Sequence, residues 1–350
     1  MITLKEQITH AAELLCTGKV VAFPTETVYG LGADATNEVA VKKIFQLKGR
    51  PTYNPLIIHV DNVSQVSEYV TITPRTRIAE QFERLLPLWP GPLTVVFPEK
   101  KSTISSAASA GLPSVGIRIP SHPLAQALLQ QTNRPIAAPS ANISEYVSAT
   151  TAQHVRDCFG DAVYVLDGGP STVGIESTII QLSEDGPATV LRPGFITREA
   201  LENHLMEELS TRTEHKATHQ VMTSPGQLKK HYSPNTPLYM FEKAEAVSLV
   251  EQTLGRRIGM ITISDGLEFD SAHIMTVPLS QSRDQNDYAK NLYAAIRTLD
   301  KAGLDLIFIE KPTNGPLREA LLDRLNRATH QDTERPVYAS RRDESIPKSL

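Results

Sequence analysis

This 350-residue chain is poor in cysteine: Cys16 and Cys158 are its two, and neither belongs to a CxxC pair. A disulfide framework and a cysteine-based zinc site are therefore not expected. The ten histidines show no HExxH or comparably close spacing. No protein-held metal ion is expected, and no metal ligands are assigned. No run of about 18 apolar residues occurs, so no membrane span is expected. The opening MITLKEQITHAAELL lacks a basic start followed by an apolar block, so it does not read as a secretory signal, and the location reads as cytoplasmic. GxxxxGKS/T and GxSxG are both missing, which argues against a Walker phosphate loop and an esterase-type serine nucleophile. A net charge of −4 argues against a surface built mainly to grip nucleic acid, although it leaves room for a local basic cleft.

What is present fits a globular α/β protein. The 40% hydrophobic and 21% charged fractions are ordinary for a chain that buries a core, and the length favours two domains. Leu4, Ile8, Ala11, Ala12 and Leu15 follow helical spacing. VVAFPT (20–25) reads as a buried strand, NEVAVKKIFQLK (37–48) as a helix capped by Asn37, and PLIIHV (55–60) as a further strand. A helix is expected to begin near Thr73-Pro74, where a hydroxyl precedes a proline suited to the first turn. LTVVF, VGIRI, PIAAPSA, AVYVL, STIIQL and TVLRP read as short strands, with helices near 122–132, 150–159 and 197–209. The uneven connections predict a twisted mixed sheet with flanking helices. Residues 210–236 lose apolar periodicity. PLYMF, RIGMITI and LDLIFIE then read as strands, and DYAKNLYAAIRTLDKA and LREALLDRLNRAT as helices, the rhythm of a smaller C-terminal Rossmann-like α/β domain. The expected layout is a first domain over 1–209, a linker over 210–236, a small domain over 237–330 and a disordered tail over 331–350.

Several strand ends carry chemistry. PTETVYGLG (24–32) sets two hydroxyls, a carboxylate and a phenol beside two glycines, which would permit close backbone approach to a ligand. In LKGRPTYNPLIIHV (47–60), Lys48 and Arg50 fall at a helix end, and Asn54 and His59 follow at once. A helix C-terminus favours cations in any case, but a Lys and an Arg together also suit a polyphosphate. Arg118 lies inside the apolar strand VGIRIP, so it needs a partner, either a structural carboxylate or that of a ligand. APSAN (138–142), Ser148 and GIESTII (174–180) add small hydroxyl and amide donors, and Arg192 a further cation. No Ser-His-Asp order is legible. Together these residues point to an anionic ligand of nucleotide type and a second, small substrate.

PTETVYGLG, KGRPTYNPLIIHV, WPGPLTVVF, VGIRIPSHP, IAAPSAN, GIESTII and LRPG occur in this order between residues 20 and 195. In that order they resemble the YrdC-like family. SPGQLKKHYSPN (224–235) and the α/β segment after it resemble that family's two-domain threonylcarbamoyl-AMP synthase form. Two departures stand out: Glu145 and Ala149 occupy positions where Gly and Pro are frequent, and Gln227 one where Met is. The resemblance implies a nucleotidyltransferase that joins L-threonine, bicarbonate or CO2, and ATP into threonylcarbamoyl-AMP with release of pyrophosphate. Magnesium would be carried on the ATP. The product would pass to the tRNA threonylcarbamoyl transferase machinery, which acts on adenosine 37 of tRNAs reading ANN codons, with at most a weak tRNA contact here. By motif position, Thr27, His59, Arg118, Ala138 and Ser177 would bind threonine. Lys48, Arg50, Asn54, Ser114, Ser140, Asn142, Ser148 and Arg192 would line the ATP side, with Lys48 and Arg50 catalytic. Two other readings compete: an RNA-binding or ribosome-assembly module, and a different carbamoyl-transferring or dihydroxybutanone-phosphate-like enzyme of the same fold. The acidic balance and missing aromatic pattern weigh against the first, and the motif order against the second. The linker is expected to fold back as an active-site lid, with Tyr232 on the nucleotide and Lys230 and His231 on phosphate. A plain solvated tether is the competing reading.

Overall fold

Short apolar runs bounded by Gly and Pro become strands, and longer amphipathic runs become helices. The computed structural model describes residues 3–101, 103–210, 231–263, 273–282 and 284–329. The tail expected to be disordered, and Gln227, Lys229 and Lys230 of the linker, lie outside the described residues.

The first sheet comprises β1 Val21–Phe23, β2 Gly30–Asp34, β3 Ile57–His59, β4 Leu93–Pro98, β5 Ser114–Arg118, β6 Ile136–Ala137, β7 Tyr164–Val165, β8 Thr178–Gln181 and β9 Thr189–Arg192. Their order is β7-β1-β2-β6-β3-β5-β4-β8-β9. Strands β3 and β5 run parallel, as do β4 and β8, while β3 with β6 and β4 with β5 run antiparallel, so the sheet is mixed as expected. Around it lie α1 Leu4–Cys16, α2 Glu38–Lys48, α3 Val63–Tyr69, α4 Arg77–Leu85, α5 Ser106–Ser109, α6 Pro123–Thr132, α7 Ala152–Phe159 and α8 Arg198–Leu205.

Asn37 caps α2 as expected, its side chain accepting from the Ala40 amide. The helix expected near Thr73-Pro74 starts later. Arg75 adopts φ 63, which no α-helix can pass through, and Thr76 caps α4 instead. Strand β2 was not legible as a strand, because GLGAD carries two glycines. Those glycines also make room for the core, and Gly30 lines the cavity described below. A Cβ on Gly32 would meet the Phe23 ring and Ile136 at 2.8 Å, and one on Gly30 the Phe23 ring at 3.0 Å, so both admit neighbouring side chains into the core.

Alternation along the strands divides the sheet into two faces. Ile58, Val95, Ile117 and Ile180 enter the main core, which Leu201 and Leu205 of α8 also join. Ile57, Val96 and Ile179 belong to the other face, together with the polar residues described below.

The second domain has four parallel strands, β10 Leu238–Phe241, β11 Ile258–Thr262, β12 Ile274–Pro278 and β13 Leu306–Glu310, in the order β10-β13-β11-β12. Helices α9 Ala246–Gln252, α10 Gln285–Asp300 and α11 Arg318–Ala328 accompany them. Strand β12 and helix α9 had not been anticipated; both are short and weakly periodic. One apolar cluster joins the domains, with Val28, Val147, Val173 and Ile175 packed among Leu292, Tyr293, Leu321 and Leu325. The approach is close: a Cβ on Gly174 (φ 80) would fall 2.4 Å from the Lys290 Cα in α10. Among the described residues no helix is long and apolar enough to cross a membrane.

Candidate active site

One lateral row of the first sheet organises the site. Ile136 pairs with His59, His59 with Arg118, Arg118 with Thr94, Thr94 with Ile179, and Ile179 with Arg192. Residues opposed across a ladder project from the same face, with strands about 4.8 Å apart. Register therefore delivers an imidazole, two guanidiniums and a hydroxyl to one surface from strands far apart in sequence.

The β1–β2 turn closes one side. The Thr25 hydroxyl donates to the Val28 carbonyl at 2.6 Å and lies 2.8 Å from the Thr27 hydroxyl, a local turn that holds Glu26 in place. Glu26 accepts from Arg118 at 2.7 Å and from the Ser121 amide at 3.1 Å. The buried Arg118 thus has a structural carboxylate, the first of its two expected partners. Among the described residues its Nε has no hydrogen-bond partner, and neither has the Nδ1 of buried His59. Burial, with Arg118 alongside, pushes the His59 imidazole down to about 3.

The opposite side is cationic. Lys48, in the last turn of α2, donates to the Ser140 carbonyl at 2.6 Å and also to that of Asn142. Arg50 is held by the Asn54 side chain at 2.6 Å and the Pro55 carbonyl at 3.0 Å. Arg192 donates to the Ser177 carbonyl at 3.0 Å and hydroxyl at 3.1 Å, and that hydroxyl lies 2.8 Å from the Thr94 hydroxyl. Burial lowers all three cations. Lys48 is depressed further by Arg50, and Arg50, beside Arg192, falls to about 9. Among the described residues, none of the three is salt-bridged to a carboxylate. Buried cations whose bonds are to neutral oxygens, not carboxylates, make a site for an anion.

His231 and Tyr232 roof this ground. The His231 amide donates to the Arg327 carbonyl at 3.1 Å, and the Ser233 amide to that of Glu145 at 2.8 Å, so the segment is pinned to both domains. Tyr232 is fully buried, stacks on Tyr293 at 5.6 Å, and adopts φ 64. Among the described residues the His231 Nδ1 and the Tyr232 hydroxyl have no hydrogen-bond partners. Beneath them is a cavity of about 50 Å³, room for a few waters rather than a nucleotide.

Thr27, Arg50, His59, Arg118, Ala138, Ser140, Ser177, Arg192, His231 and Tyr232 all line the cavity. Lys48, Asn54, Ser114, Asn142 and Ser148 are not among its lining residues. Lys48 and Asn54 brace the loops that carry Ser140 and Arg50. Asn142 spends its amide on the carbonyls of Ile143 and Tyr146. Ser114 lies at the far end of β5 from Arg118. Ser148, fully buried, donates at 2.5 Å to Glu176, so it serves that carboxylate instead of facing the cavity.

Sequence reasoning passed over Glu176, Arg297 and Arg324, and it noted Glu26 without its partner. Glu176 accepts from Tyr293 at 2.9 Å and from Arg324 at 2.7 Å, and despite its burial Arg324 and Arg192 hold it down at about 2. Arg297 donates to the Ser148 carbonyl at 3.2 Å. A signal existed for the arginines. Arg324 falls on the buried stripe Ala320, Leu321, Leu325, Ala328, where a cation needs a partner from elsewhere.

The histidines set the acid response. Burial pushes His59 and His231 down to about 3 and His154 to about 4, from 6.5. Depressed groups stabilise the fold fully above pH 6.5 and lose that contribution as pH falls towards about 3. The melting temperature is expected to drop between pH 7.5 and 5, and to drop less in a His59→Gln/His231→Gln variant. Equal slopes in a thermal unfolding series would refute this.

Known proteins resemble this chain along most of its length. Residues 13–194 match the family described as "Telomere recombination" (Sua5, YciO, YrdC), and residues 196–329 match "Threonylcarbamoyl-AMP synthase, C-terminal domain". The chain is 39% identical over 333 residues to the threonylcarbamoyl-AMP synthase of Bacillus subtilis (strain 168), covering 92% of each. A Vibrio vulnificus (strain YJ016) protein of that name is 36% identical over 167 residues, 47% of this chain and 86% of that one. The crystal structure of Pyrococcus abyssi Sua5 complexed with L-threonine superposes with a TM-score of 0.83 at 35% identity, covering 94% of this chain and 95% of that one. With both of its domains matched and near-complete coverage of relatives so named, this chain belongs to the threonylcarbamoyl-AMP synthase family.

Proposed function

We propose that the protein is an L-threonylcarbamoyladenylate synthase that converts L-threonine, bicarbonate or CO2, and ATP into threonylcarbamoyl-AMP and pyrophosphate. The product would be supplied for tRNA modification at adenosine 37. The observation that carries this reading is the pairing of two half-sites on one sheet face. Among the described residues, one holds buried cations not salt-bridged to a carboxylate; the other presents an arginine Nε and an imidazole nitrogen without hydrogen-bond partners. The relatives' names and the threonine complex of the Pyrococcus protein support the same assignment.

In this reading Arg118 pairs the threonine carboxylate beside His59, with Thr27, Ala138 and Ser177 around the hydroxyl and methyl. A pocket that bonds a hydroxyl rejects the analogue lacking it far better than an apolar pocket rejects one methylene. The threonine amine adds to CO2 and sheds a proton, or condenses with bicarbonate and releases water, giving a carbamate. A carbamate oxygen then attacks the α-phosphorus of ATP, and pyrophosphate leaves. The chain supplies no covalent nucleophile; it positions the reactants and neutralises charge. Arg50, Arg192 and Ser140 face the phosphates, with Lys48, Asn54, Ser114, Asn142 and Ser148 assigned to that side through the loops they hold. Magnesium would be carried in on the phosphates of ATP. Residues 1–209 would form the catalytic domain and 237–330 the smaller one, with 210–236 a lid that closes over the nucleotide.

The test is pyrophosphate release from Mg-ATP and bicarbonate with and without L-threonine. Release is expected only with threonine. Release that ignores threonine, or none at all, as a pure RNA-binding module would give, refutes the assignment.

A further inference from the structure

Among the described residues lining the cavity, Glu176 has the only carboxylate, and it shares the wall with Arg50 and Arg192. A free carboxylate there would repel a polyphosphate, yet this one is fully engaged. Ser148 donates to one oxygen at 2.5 Å, and Tyr293 and Arg324 donate to the other at 2.9 and 2.7 Å. Arg324 has no exposed surface. Its remaining nitrogens reach Asp323 and, at 3.0 Å, the carbonyl of Pro193, the neighbour of Arg192. Its guanidinium also stands 5.4 Å from the centre of the Tyr232 ring, which Tyr293 stacks from 5.6 Å.

Arg324 and Tyr293 come from α11 and α10 of the second domain, whereas Glu176, Ser148 and Pro193 belong to the first. A buried ion pair is poor glue, because apolar side chains of similar volume join two domains as well or better. Its position, between the cationic wall and the ring of the covering segment, gives it another use. We propose that Arg324 is a positioning residue of the nucleotide site: it neutralises the cavity's carboxylate and seats the Tyr232 ring, so that the anion site is complete only with the second domain docked. This rests on the nucleotide reading above.

Calorimetric titration with Mg-ATP and, separately, with L-threonine tests it in the full-length protein. Arg324→Met should weaken Mg-ATP binding by about a hundredfold, since it leaves a buried charge unpaired, and threonine binding by no more than about threefold. Adding Glu176→Gln to that variant should restore Mg-ATP affinity to within about threefold of wild type. A purely structural clasp predicts equal losses for Mg-ATP and threonine, and either that result or a failure of restoration overturns the inference. If Arg324→Met does not fold, Arg324→Lys decides: the cation alone should keep Mg-ATP affinity within about tenfold, and a hundredfold loss overturns the inference. A wild-type protein that binds no Mg-ATP overturns the nucleotide reading itself, whereas wild-type binding untouched by Arg324→Met overturns only the role given to Arg324.

Discussion

Arg118→Ala is expected to raise the KM for threonine by about a hundredfold while leaving the KM for ATP within about threefold, because a charge-assisted bond to a carboxylate is worth roughly 1.5–3 kcal/mol. The guanidinium meets the first half of the site, flanked by His59 on β3 and Thr94 on β4. Its Nε is the buried donor left over once Glu26 has taken its Nη2. A ligand carboxylate is the complement of that donor. The same substitution strands Glu26, which is 6% exposed and keeps only the Ser121 amide. Breaking a buried ion pair from one side costs about 3–5 kcal/mol, so the melting temperature should fall as well. The KM ratio, not the stability, carries the test. Steady-state kinetics with each substrate varied in turn separates the two, and Arg118→Lys should recover part of the threonine affinity but not the forked geometry. Equal losses for ATP and threonine would show that Arg118 holds the sheet face together and does not read threonine.

Tyr232→Ala is expected to lower turnover by about a hundredfold with both domains still folded, the scale of loss that misplacing reactants by about 1 Å brings. Tyr232 is fully buried against Tyr293 and Arg324, and it holds φ 64, a conformation that L side chains other than Asn and Asp seldom adopt. Strain of this kind persists where surrounding contacts impose it, often at a functional site. The cavity beneath is too small for a nucleotide, so on the proposed function the segment must lift to admit ATP and settle again over it. Tyr232→Phe separates the roles. It keeps the stacking but removes the buried hydroxyl, which has no hydrogen-bond partner among the described residues, so it should cost turnover only if that hydroxyl meets the substrate. Pyrophosphate release read beside calorimetric unfolding checks the prediction. Wild-type turnover in Tyr232→Ala would reduce the segment to a tether.

Much of this site was legible at the level of motifs and little at the level of partners. Arg118 inside an apolar strand had to find a partner, because buried guanidiniums do, and the Lys48–Arg50 pair at the end of a capped helix pointed towards an anion. Asn37 marked the start of α2, since a short polar side chain before an amphipathic run satisfies free amides. The failures share one cause, contacts remote in sequence. Gly32 has a packing role that no local stretch shows: a Cβ there would meet Ile136, more than a hundred residues away. Glu26 was noticed as a carboxylate and Glu176 only as part of a motif. Their partners lie 92 and 148 residues further along the chain.

By itself the sequence determined what the side chains offer: the alternation that leaves Ile57 and His59 on one face and Ile58 on the other, the caps, the cations, and the family to which their order belongs. Only the tertiary structure decided what they meet. The register of the first sheet put His59, Arg118 and Arg192 in a single row, and the docking of α10 and α11 placed Arg324 against Glu176 and Tyr232 inside the roof. Alternation and capping act over a few residues and are written locally. Strand register and domain docking come from burial summed over the whole chain, and no local stretch of sequence carries that sum.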